Sequence, residues 1–554
     1  MKNTSFRLRL LLTFILAASI IPLFVSAQHQ SGGVPLSFGR ALKAENVINS
    51  EITPPSPETI LQIEKAPALP YRFAIRIPVD FSLSTSGTTE ILNDGQMVWR
   101  LSFHSSAAKA LMLYFDRFSI PAGGRLFVYN TSRTQMYGAY TSANNNSFGT
   151  FACPLITGES LVLEYNAPAS LALPDIHISD VAYAFRGIVT DEDEKAGYSA
   201  GKCEVNVNCS EGLNWQKQKR GVVKLVVKDS NSVLMWCSGS MINNTSNDGT
   251  PYLLTANHCG KAARAVDLSQ WLFYFNYEMP GCENTTAAGS SLLGAMFKAH
   301  GLTEDAGSDF FLVKLSESIP DSLNVYFNGW NRTEAISNTG TGIHHPGGDV
   351  KKISTYNFPL STGYWTGNPN PCFWLVYWTY TTHGHGVTEG GSSGSPIFNA
   401  AGQIVGTLTG GDSNCDTNSL NLPDYYGKFS WHWDKNGTDS AHILKCWLDP
   451  NNTNVTDMGG WALGIKDQNA EPGIRLYPNP ARETSNISLD GESLSKGGLS
   501  ISVLDILGNP CPASTVKETD AGMYSLDLQS LSPGVYLVVI SGQNFRKSMK
   551  LLKM

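Results

Sequence analysis

The sequence predicts an all-β protein with several folded regions. Its 554 residues correspond to three or four domains at about 150 residues each. Short runs that alternate in hydrophobicity or carry aromatic side chains recur between Gly, Asn and Pro residues, whereas long helical periodicity is scarce. Hydrophobic residues make up 42% and charged residues 16% of the chain, which indicates folded domains. The net charge of -7 provides no positive field for a phosphate backbone, so a nucleic-acid binder is disfavoured.

The first 27 residues have the pattern of a signal peptide. Three basic residues precede an apolar run at residues 10–25, and a small-x-small pattern follows that ends at Ala27. We expect cleavage after Ala27. An uncleaved anchor is the alternative, but the run is shorter than the ~20 residues that a spanning helix needs. Because export leads to an oxidising compartment, the ten cysteines are expected to form mainly disulfides.

Residues 28–195 are predicted to form a second region. Residues 28–70 are polar and Pro-rich, which predicts an extended lead-in rather than a packed element. From residue 71 to about 167, five strand-like runs predict a compact all-β domain; they lie at 72–77, 97–103, 111–115, 126–129 and 161–165. The acidic run at 191–194 predicts a solvated loop that marks the boundary.

The remaining chain is predicted to form two further β regions. In residues 196–465 the clearest strands are expected at 222–227, 272–277, 310–315 and 403–408, with a possible short helix at 440–448. Residues 466–554 carry five or six further short strand patterns, among them 486–489, 499–504 and 535–540. A β-sandwich fits this last region best.

Three segments of the central region carry residues typical of nucleophilic catalysis. They are LTANHC at 254–259, GSDF at 307–310 and GGSSGSP at 390–396. A serine hydroxyl becomes nucleophilic when an imidazole takes its proton, a carboxylate orients that imidazole, and backbone amides receive the oxyanion. The segments supply His258, Asp309 and Ser393 in the order His, Asp, Ser, which is the order of chymotrypsin-type double barrels.

A second nucleophile pattern overlaps the last segment. Residues 390–394 also satisfy a G-x-S-x-G pattern, which would make Ser392 the nucleophile of an α/β-hydrolase. We reject this interpretation because both His258 and Asp309 lie upstream of the serine. The surrounding sequence also lacks the strand–helix alternation that such an elbow requires.

The residues on either side of His258 and Ser393 resemble those of a known family. The segments around His258 and Ser393 are similar to the T-A-x-H-C and G-x-S-G-x-P motifs of trypsin-like serine proteases. Residues 201–450 resemble bacterial lysyl endopeptidases through several separate motifs: Cys203 and Cys209 before Glu211-Gly212, Cys237-Ser238-Gly239-Ser240, Ile343-His344-His345-Pro346 and Gly386-Val387-Thr388-Glu389. The resemblance implies a chymotrypsin-like double β-barrel. It implies that His258 is the general base, Asp309 its orienting group and Ser393 the nucleophile, and that the amides of Gly391 and Ser393 form the oxyanion hole.

The resemblance also implies a specificity for lysine. An acidic residue shortly before a Tyr-Gly pair lies in the S1 pocket of lysyl endopeptidases, and Asp424 occupies that position here. A buried carboxylate needs a cationic partner, which a substrate Lys supplies; the alternative is that Asp424 caps a turn. Trp365 falls where the family places a Trp that lines the binding site. Thr409 departs from the family, whose members carry a His there, so the rate or the preference for Lys over Arg is expected to differ.

Disulfide pairs are likewise implied by the family pattern, namely Cys203–Cys415, Cys209–Cys282 and Cys237–Cys259. A Cys372–Cys446 bridge is a further expectation that no motif supports, and the pairing of Cys153 and Cys511 stays open. No metal or other cofactor is expected, because neither His344-His345 nor His383-Gly384-His385 has the spacing of a zincin site.

The two flanking regions also have counterparts in secreted proteases. Residues 71 to about 190 resemble the propeptide of these enzymes, weakly, and we expect cleavage after Lys195, since Lys195 is the residue that Asp424 would select. Residue 392 is Ser rather than Asp, so activation through an ion pair with a freed amino terminus is not expected. Residues 474–554 resemble the C-terminal sorting domain of type IX secretion, through the motifs LYPNP, DILG and LSPGVY.

These observations predict a secreted serine endopeptidase that cleaves proteins after Lys. The resemblance implies export through the periplasm to the outside, or the outer surface, of a Gram-negative bacterium, with protein substrates and the type IX machinery as partners. The alternative is a surface adhesin or other binding protein on an inactive protease fold. In that case the last region would be a permanent binding sandwich.

Overall fold

A computed structural model describes residues 31–553, apart from positions 41, 43–46, 48, 66–69, 187, 189–199, 286, 417–421, 463–472, 478, 480, 491–499, 506–508, 512–514, 521–522 and 542–545. The chain divides into two compact units, Met1–Gly464 and Ile465–Met554. Strands dominate both units, as the all-β prediction requires. Ala27, Lys195 and the acidic run at 191–194 lie outside the described residues. In the part of the chain that the structure describes, no helix has the length and apolar character needed to cross a membrane.

Among its described residues, the first part of the larger unit contains two α-helices and eleven strands: α1 Leu36–Gly39, β1 Asn49–Glu51, α2 Pro57–Lys65, β2 Tyr71–Ser82, β3 Thr88–Ile91, β4 Gln96–His104, β5 Ala110–Ser119, β6 Arg125–Tyr129, β7 Met136–Tyr140, β8 Phe151–Ala152, β9 Ile156–Thr157, β10 Ser160–Pro168 and β11 Asp175–Ala184. All five strands expected here are present. Strands β1, β3, β4, β6, β7 and β10 form a six-stranded sheet. Its apolar side chains contribute to a core that is shared with β5 and β11.

The lead-in at residues 28–70 is more ordered than the sequence predicted. Strand β1 pairs in parallel with β4, and the short helix α1 is fixed by a buried carboxylate. The amide of Ser37 donates to Glu164 Oε1 at 3.1 Å, and the amide of Leu36 donates to Asn166 Oδ1 at 3.0 Å. The expectation of an unpacked segment was wrong because its hydrogen-bond partners lie on β4 and β10, far from it in the sequence.

In the described residues of its second part, the larger unit contains two further groups of strands and four short α-helices: β12 Val205–Asn206, β13 Val222–Val227, β14 Val233–Met241, β15 Tyr252–Ala256, α3 Asn257–Gly260, α4 Ala265–Leu268, β16 Leu272–Glu278, β17 Ala288–Leu293, β18 Ala295–His300, β19 Phe310–Leu315, β20 Tyr326–Phe327, β21 Trp330–Asn331, β22 Gly340–His344, β23 Lys352–Tyr356, β24 Ser361–Gly363, β25 Phe373–Val376, β26 Pro396–Asn399, β27 Ile404–Gly411, β28 Asp424–Lys428, α5 Phe429–Asp434, α6 Lys445–Leu448, β29 Asp457–Met458 and β30 Trp461–Ala462. Strands β13–β19 surround one apolar core. Strands β22–β28 belong to a second sheet with its own core.

The helix expected at residues 440–448 is shorter than predicted. Only α6, residues Lys445–Leu448, is helical. Asp439 accepts the amides of Ala441 and His442, and Ser440 O accepts the indole N–H of Trp447. These local hydrogen bonds form a turn that competes with the first turn of a longer helix.

One strand of the first region continues the sheet of the second. Residues of β2 pair antiparallel with β14, so both regions contribute to one twelve-stranded sheet. Phe73 stacks on Trp236 with ring centroids 4.0 Å apart, and both side chains are buried. Long-range pairing of this kind cannot be deduced from the local strand pattern.

The smaller unit contains seven described strands: β31 Gly473–Tyr477, β32 Thr484–Asp490, β33 Ser500–Leu504, β34 Thr515–Asp520, β35 Met523–Asp527, β36 Gly534–Ser541 and β37 Arg546–Lys553. They form a four-stranded sheet, β31-β32-β35-β34, and a three-stranded sheet, β33-β36-β37. Ile487 and Leu526 from one sheet share a core with Val538 and Ile540 from the other. This arrangement is the predicted β-sandwich, with one or two strands more than expected.

Candidate active site

His258 and Asp309 are brought together by the pairing of two strands. His258 lies in α3, directly after β15, and Asp309 directly precedes β19, which pairs antiparallel with β15. Asp309 Oδ2 lies 2.7 Å from His258 Nδ1, and Asp309 Oδ1 accepts the backbone N–H of His258 at 2.9 Å. Both side chains are almost fully buried. The carboxylate therefore fixes both the position of the imidazole and the tautomer with a proton on Nδ1.

The backbone at Asp309 is itself held in an uncommon conformation. Its φ of 57° lies in the left-handed region, which Asp tolerates better than most residues. The preceding Ser308 is fixed by two side chains from the α5 region: His432 Nδ1 lies 2.8 Å from Ser308 Oγ, and Asn436 Nδ2 donates to the same oxygen at 2.7 Å. His432 and Asn436 were not found by sequence reasoning, because more than 120 residues separate them from Ser308.

Ser393 lies in a tight loop before β26. Its carbonyl accepts the amide of Ser238 at 2.8 Å, and the Cys237–Cys259 disulfide ties the strand of Ser238 to the helix of His258. Among the described residues, His258 Nε2 has no hydrogen-bond partner although it is buried. Hydrogen bonds between nucleophile and base are often long in unliganded enzymes and shorten in the substrate complex. This imidazole nitrogen can therefore accept a proton.

The amides of Gly391 and Ser393 are unused within the described part of the chain. Gly391 has a φ of 98°, and a Cβ atom there would lie 3.0 Å from the carbonyl oxygen of His345, so a side chain is disfavoured for two reasons. An oxyanion requires two nearby amide donors that have no other acceptor, and the amides of Gly391 and Ser393, in the same loop, meet this requirement.

Asp424 begins β28 and is fully buried. Its Oδ2 accepts three hydrogen bonds, from Trp378 Nε1 at 2.6 Å, Thr388 Oγ1 at 2.7 Å and Ser413 Oγ at 2.7 Å. Burial raises the pKa of this carboxyl above its usual range, and the three donors oppose that effect. Trp378 and Ser413 were missed by the sequence analysis, whereas Thr388 lies in one of the motifs on which the resemblance rests.

Trp365 and Thr409 have different surroundings. The ring of Trp365 meets Tyr425 edge-on, with centroids 5.4 Å apart, so it is adjacent to the strand of Asp424. Thr409 is fully buried in β27, and within the described residues its hydroxyl has no hydrogen-bond partner. A buried hydroxyl without a partner is costly, which marks Thr409 as an unusual residue for this position.

The structure contains the three disulfides that the resemblance implied: Cys203–Cys415, Cys209–Cys282 and Cys237–Cys259. The expected Cys372–Cys446 bridge is not formed. Cys372 is buried beside the carbonyl of Gly307, at 3.3 Å, whereas Cys446 is exposed on α6. Cys153 is buried and likewise unbridged.

The histidine pairs considered in the sequence analysis have other partners. His344 and His345 are buried and hydrogen-bonded within the protein, and His383 lies beside Glu211. His383 is also close to Cys209 and Cys282, but both of these sulfur atoms are in a disulfide.

Comparison with known proteins agrees with the sequence motifs. Residues 198–427 match the family model of the lysyl endopeptidase C-terminal domain, and residues 475–554 match that of the secretion system C-terminal sorting domain. A lysyl endopeptidase of Pseudomonas aeruginosa is 30% identical over 294 residues, which cover 50% of this chain and 60% of the relative. The chain thus spans less than two thirds of that relative's length.

These matches confirm two expectations from the sequence. The resemblance to lysyl endopeptidases is confirmed over the central region, and the sorting-domain match confirms delivery to the cell surface or the extracellular space. Residues 198–427 are thus similar to the C-terminal domain of lysyl endopeptidases, and residues 475–554 are similar to secretion system C-terminal sorting domains.

Proposed function

We propose that this protein is a secreted serine endopeptidase that cleaves polypeptides after Lys. The observation that carries the proposal is the buried His258–Asp309 pair, 2.7 Å apart, whose Nε2 atom is left without a partner among the described residues. The two unused amides of Gly391 and Ser393 lie in the loop that carries the serine. The matches to lysyl endopeptidases support the same reaction class.

The proposed reaction proceeds through an acyl-enzyme. His258 Nε2 takes the proton of Ser393 Oγ as that oxygen attacks the scissile carbonyl, and Asp309 stabilises the imidazolium that forms. The amides of Gly391 and Ser393 donate to the oxyanion of the tetrahedral intermediate. His258 then protonates the leaving amine, the carbon–nitrogen bond breaks, and water hydrolyses the ester in the reverse sequence of proton transfers.

Asp424 is proposed to select the lysine side chain at P1. Three neutral donors stabilise its Oδ2, and they add no positive charge to the site. The ammonium group of a substrate Lys would supply the missing charge. Tyr425, the next residue along β28, contacts Trp365, which is consistent with both side chains lining the same substrate site.

Residues 28–195 are proposed to be a propeptide that restrains the protease domain, residues 196–465, until cleavage after Lys195. Strand β2 pairs with β14, and Phe73 stacks on Trp236. The ring of Tyr71 packs so closely on Gly390 that a Cβ atom there would collide with it. This contact reaches the loop of Ser393, so removal of the covering strand would release the loop.

The terminal regions are proposed to direct transport. Residues 1–27 would lead the chain into the periplasm, and residues 466–554 would then engage the type IX machinery and be removed at the cell surface. In this proposal the sorting region makes no contribution to the catalytic chemistry.

A peptide-library digest tests the proposed function. The full chain is expressed, the mature protein is collected, and the cleaved bonds in a proteome-derived peptide library are determined by mass spectrometry. We expect cuts after Lys that are absent with a Ser393→Ala variant. An intact library would instead support the adhesin alternative, and cuts after aromatic or small residues would contradict the role of Asp424.

A further inference from the structure

A second segment of the protease domain lies behind the loop that carries Ser393. This segment, residues 343–348, contains the paired histidines and two glycines and begins with the last two residues of β22. It is hydrogen-bonded directly to Gly390 and Ser392. Ser238 Oγ connects it to the loop residue between them, Gly391. Neither the proposed reaction nor the proposed lysine specificity uses these histidines.

Ser392 is linked to His344 by a hydrogen-bond chain whose proton positions can be deduced. Ser354 Oγ donates its only proton to the carbonyl of Val387, at 2.8 Å, so the 2.9 Å contact between Ser354 Oγ and His344 Nε2 requires an N–H on the imidazole. A neutral imidazole then has a lone pair on Nδ1, which accepts the hydroxyl proton of Ser392 at 2.8 Å. Burial lowers the pKa of His344 to about 3, which keeps the imidazole neutral.

The other end of the chain closes the catalytic loop. Ser392 Oγ accepts the amide of Glu389 at 3.2 Å, and the amide of Ser392 donates to the carbonyl of Glu389 at 2.9 Å. Each donor of this hydrogen-bond chain thus has one acceptor. The donors are, in order, Glu389 N–H, Ser392 O–H, His344 Nε2–H and Ser354 O–H.

The same segment fixes the direction of the amide of Gly391. The carbonyl of Gly390 accepts the N–H of Gly347 at 2.7 Å, and in a planar trans peptide the following N–H points the opposite way. Ser238 Oγ accepts the amide of His345 at 3.0 Å and donates to the carbonyl of Gly391 at 2.9 Å, which fixes the next peptide. The segment therefore fixes the first peptide group directly and the second through Ser238, which lies on β14.

We propose that His344 is a positioning residue, which holds Ser392 through this uncharged chain so that the amides of Gly391 and Ser393 stay aligned for the oxyanion. This proposal rests on the proposed peptidase function and adds a further residue to it. The anchor needs no free amino terminus, in keeping with the absence of Asp at position 392.

Kinetics of four variants test the proposal, each expressed as the full chain and collected in mature form. His344→Phe and Ser392→Ala break the chain at either end, the double variant breaks both, and Thr341→Val is the control. Thr341 lies on the same strand and is fully buried, and its hydroxyl donates to the carbonyl of Ser354 at 3.1 Å. Its loss removes a buried hydrogen bond to the backbone of Ser354 and leaves in place the side-chain hydrogen bonds that join Ser392, His344 and Ser354 Oγ.

We expect His344→Phe and Ser392→Ala each to lower kcat by about 10- to 100-fold, up to the loss found for one oxyanion donor, with KM little changed. The affinity for a peptide aldehyde ending in lysinal should fall by a similar factor, because its hemiacetal oxygen uses the same amides. The double variant should lose no more than the worse single variant, since both break one chain. Thr341→Val should lower Tm but leave kcat unchanged.

A His344→Phe variant with lowered Tm but normal kcat and aldehyde affinity would overturn the proposal, as would additive losses in the double variant. If His344→Phe does not fold, Ser392→Ala decides, because it deletes a single hydroxyl: unchanged kcat overturns the positioning role. A wild-type protein that hydrolyses no peptide would contradict the proposed function itself, which separates the two failures.

Discussion

Asp424→Asn is the substitution that most sharply tests the lysine specificity. The change removes one negative charge and keeps the shape of the side chain. The amide oxygen can still accept from Trp378, Thr388 and Ser413, whose donors lie 2.6–2.7 Å from Oδ2. Because burial raises the pKa of Asp424, the charged carboxylate opposes folding as the pH rises through that pKa. An uncharged Asn is free of this cost, so the variant should remain folded at neutral pH.

The expected loss of activity follows because Asp424→Asn leaves the ammonium group of the substrate Lys buried without its counter-charge. Removing one partner of such a pair costs about 3–5 kcal/mol. At 1.36 kcal/mol per factor of ten, kcat/KM on a Lys substrate should fall about 150- to 5,000-fold. With a norleucine substrate, which has no ammonium group, the variant should match or exceed the wild type.

The assay compares kcat/KM for two peptides that differ only in Lys or norleucine at P1. Asp412→Asn is the matched control, because it removes the same charge from an exposed position directly after β27 and should leave both values unchanged. Reaction of Ser393 with a fluorophosphonate should persist in Asp424→Asn, which separates lost specificity from a lost active site. If the variant keeps its preference for Lys over norleucine, Asp424 is not the counter-charge.

Four further predictions concern the nucleophile, the pH dependence of stability, export and processing. Ser393→Ala should abolish nearly all peptidase activity, whereas Ser392→Ala should be far milder; the reverse order in a kcat comparison would assign the nucleophile to Ser392. Burial raises the pKa of Glu278, but Lys351 and Lys219, 3.0 and 2.6 Å away, outweigh it and lower the pKa to about 2. The stability that Glu278 contributes should therefore be present above its unfolded pKa of ~4.5 and disappear as the pH falls towards 2. Glu278→Gln should lower the free energy of unfolding by about 3 kcal/mol at pH 7, measured with a denaturant, and should weaken the dependence of that free energy on acid pH. An unchanged dependence on pH would refute the ion cluster. Deletion from residue 470 onward should trap a catalytically competent protein in the periplasm, and normal secretion in cell fractionation would contradict the sorting role. Edman sequencing of the mature protein should start at Ala196 and read Ala-Gly-Tyr-Ser, and the Ser393→Ala protein should stay uncut if processing is autocatalytic; another terminus would refute the Lys195 site.

Local sequence carried most of the information about the reacting groups. His258, Asp309 and Ser393 each lie in a short segment whose neighbours are typical of a protease, and their chain order excluded a hydrolase elbow at Ser392. The strand patterns were equally local: β13 begins and ends at the residues predicted from its β-branched run, 222–227.

The supporting contacts could not be predicted in the same way, because they join residues far apart in the chain. His432 supports Ser308 across 124 positions, and Ser413 reaches Asp424 from the end of β27. The pairing of β2 with β14 depends on burying Phe73 against Trp236, and the strand pattern of either region is compatible with a separate sheet. The error over Cys372 has the same origin, since its burial next to Gly307 is set by tertiary contacts rather than by spacing.

Fluorophosphonate labelling tests the central claim most directly, because only an activated serine reacts. The mature wild-type protein is treated with the reagent, and the modified residue is located by peptide mass spectrometry. We expect one adduct, on Ser393, and its loss in His258→Ala, where the proton acceptor is missing. An unlabelled wild-type protein, or an adduct on another serine, would contradict the assignment of His258, Asp309 and Ser393 as the catalytic residues.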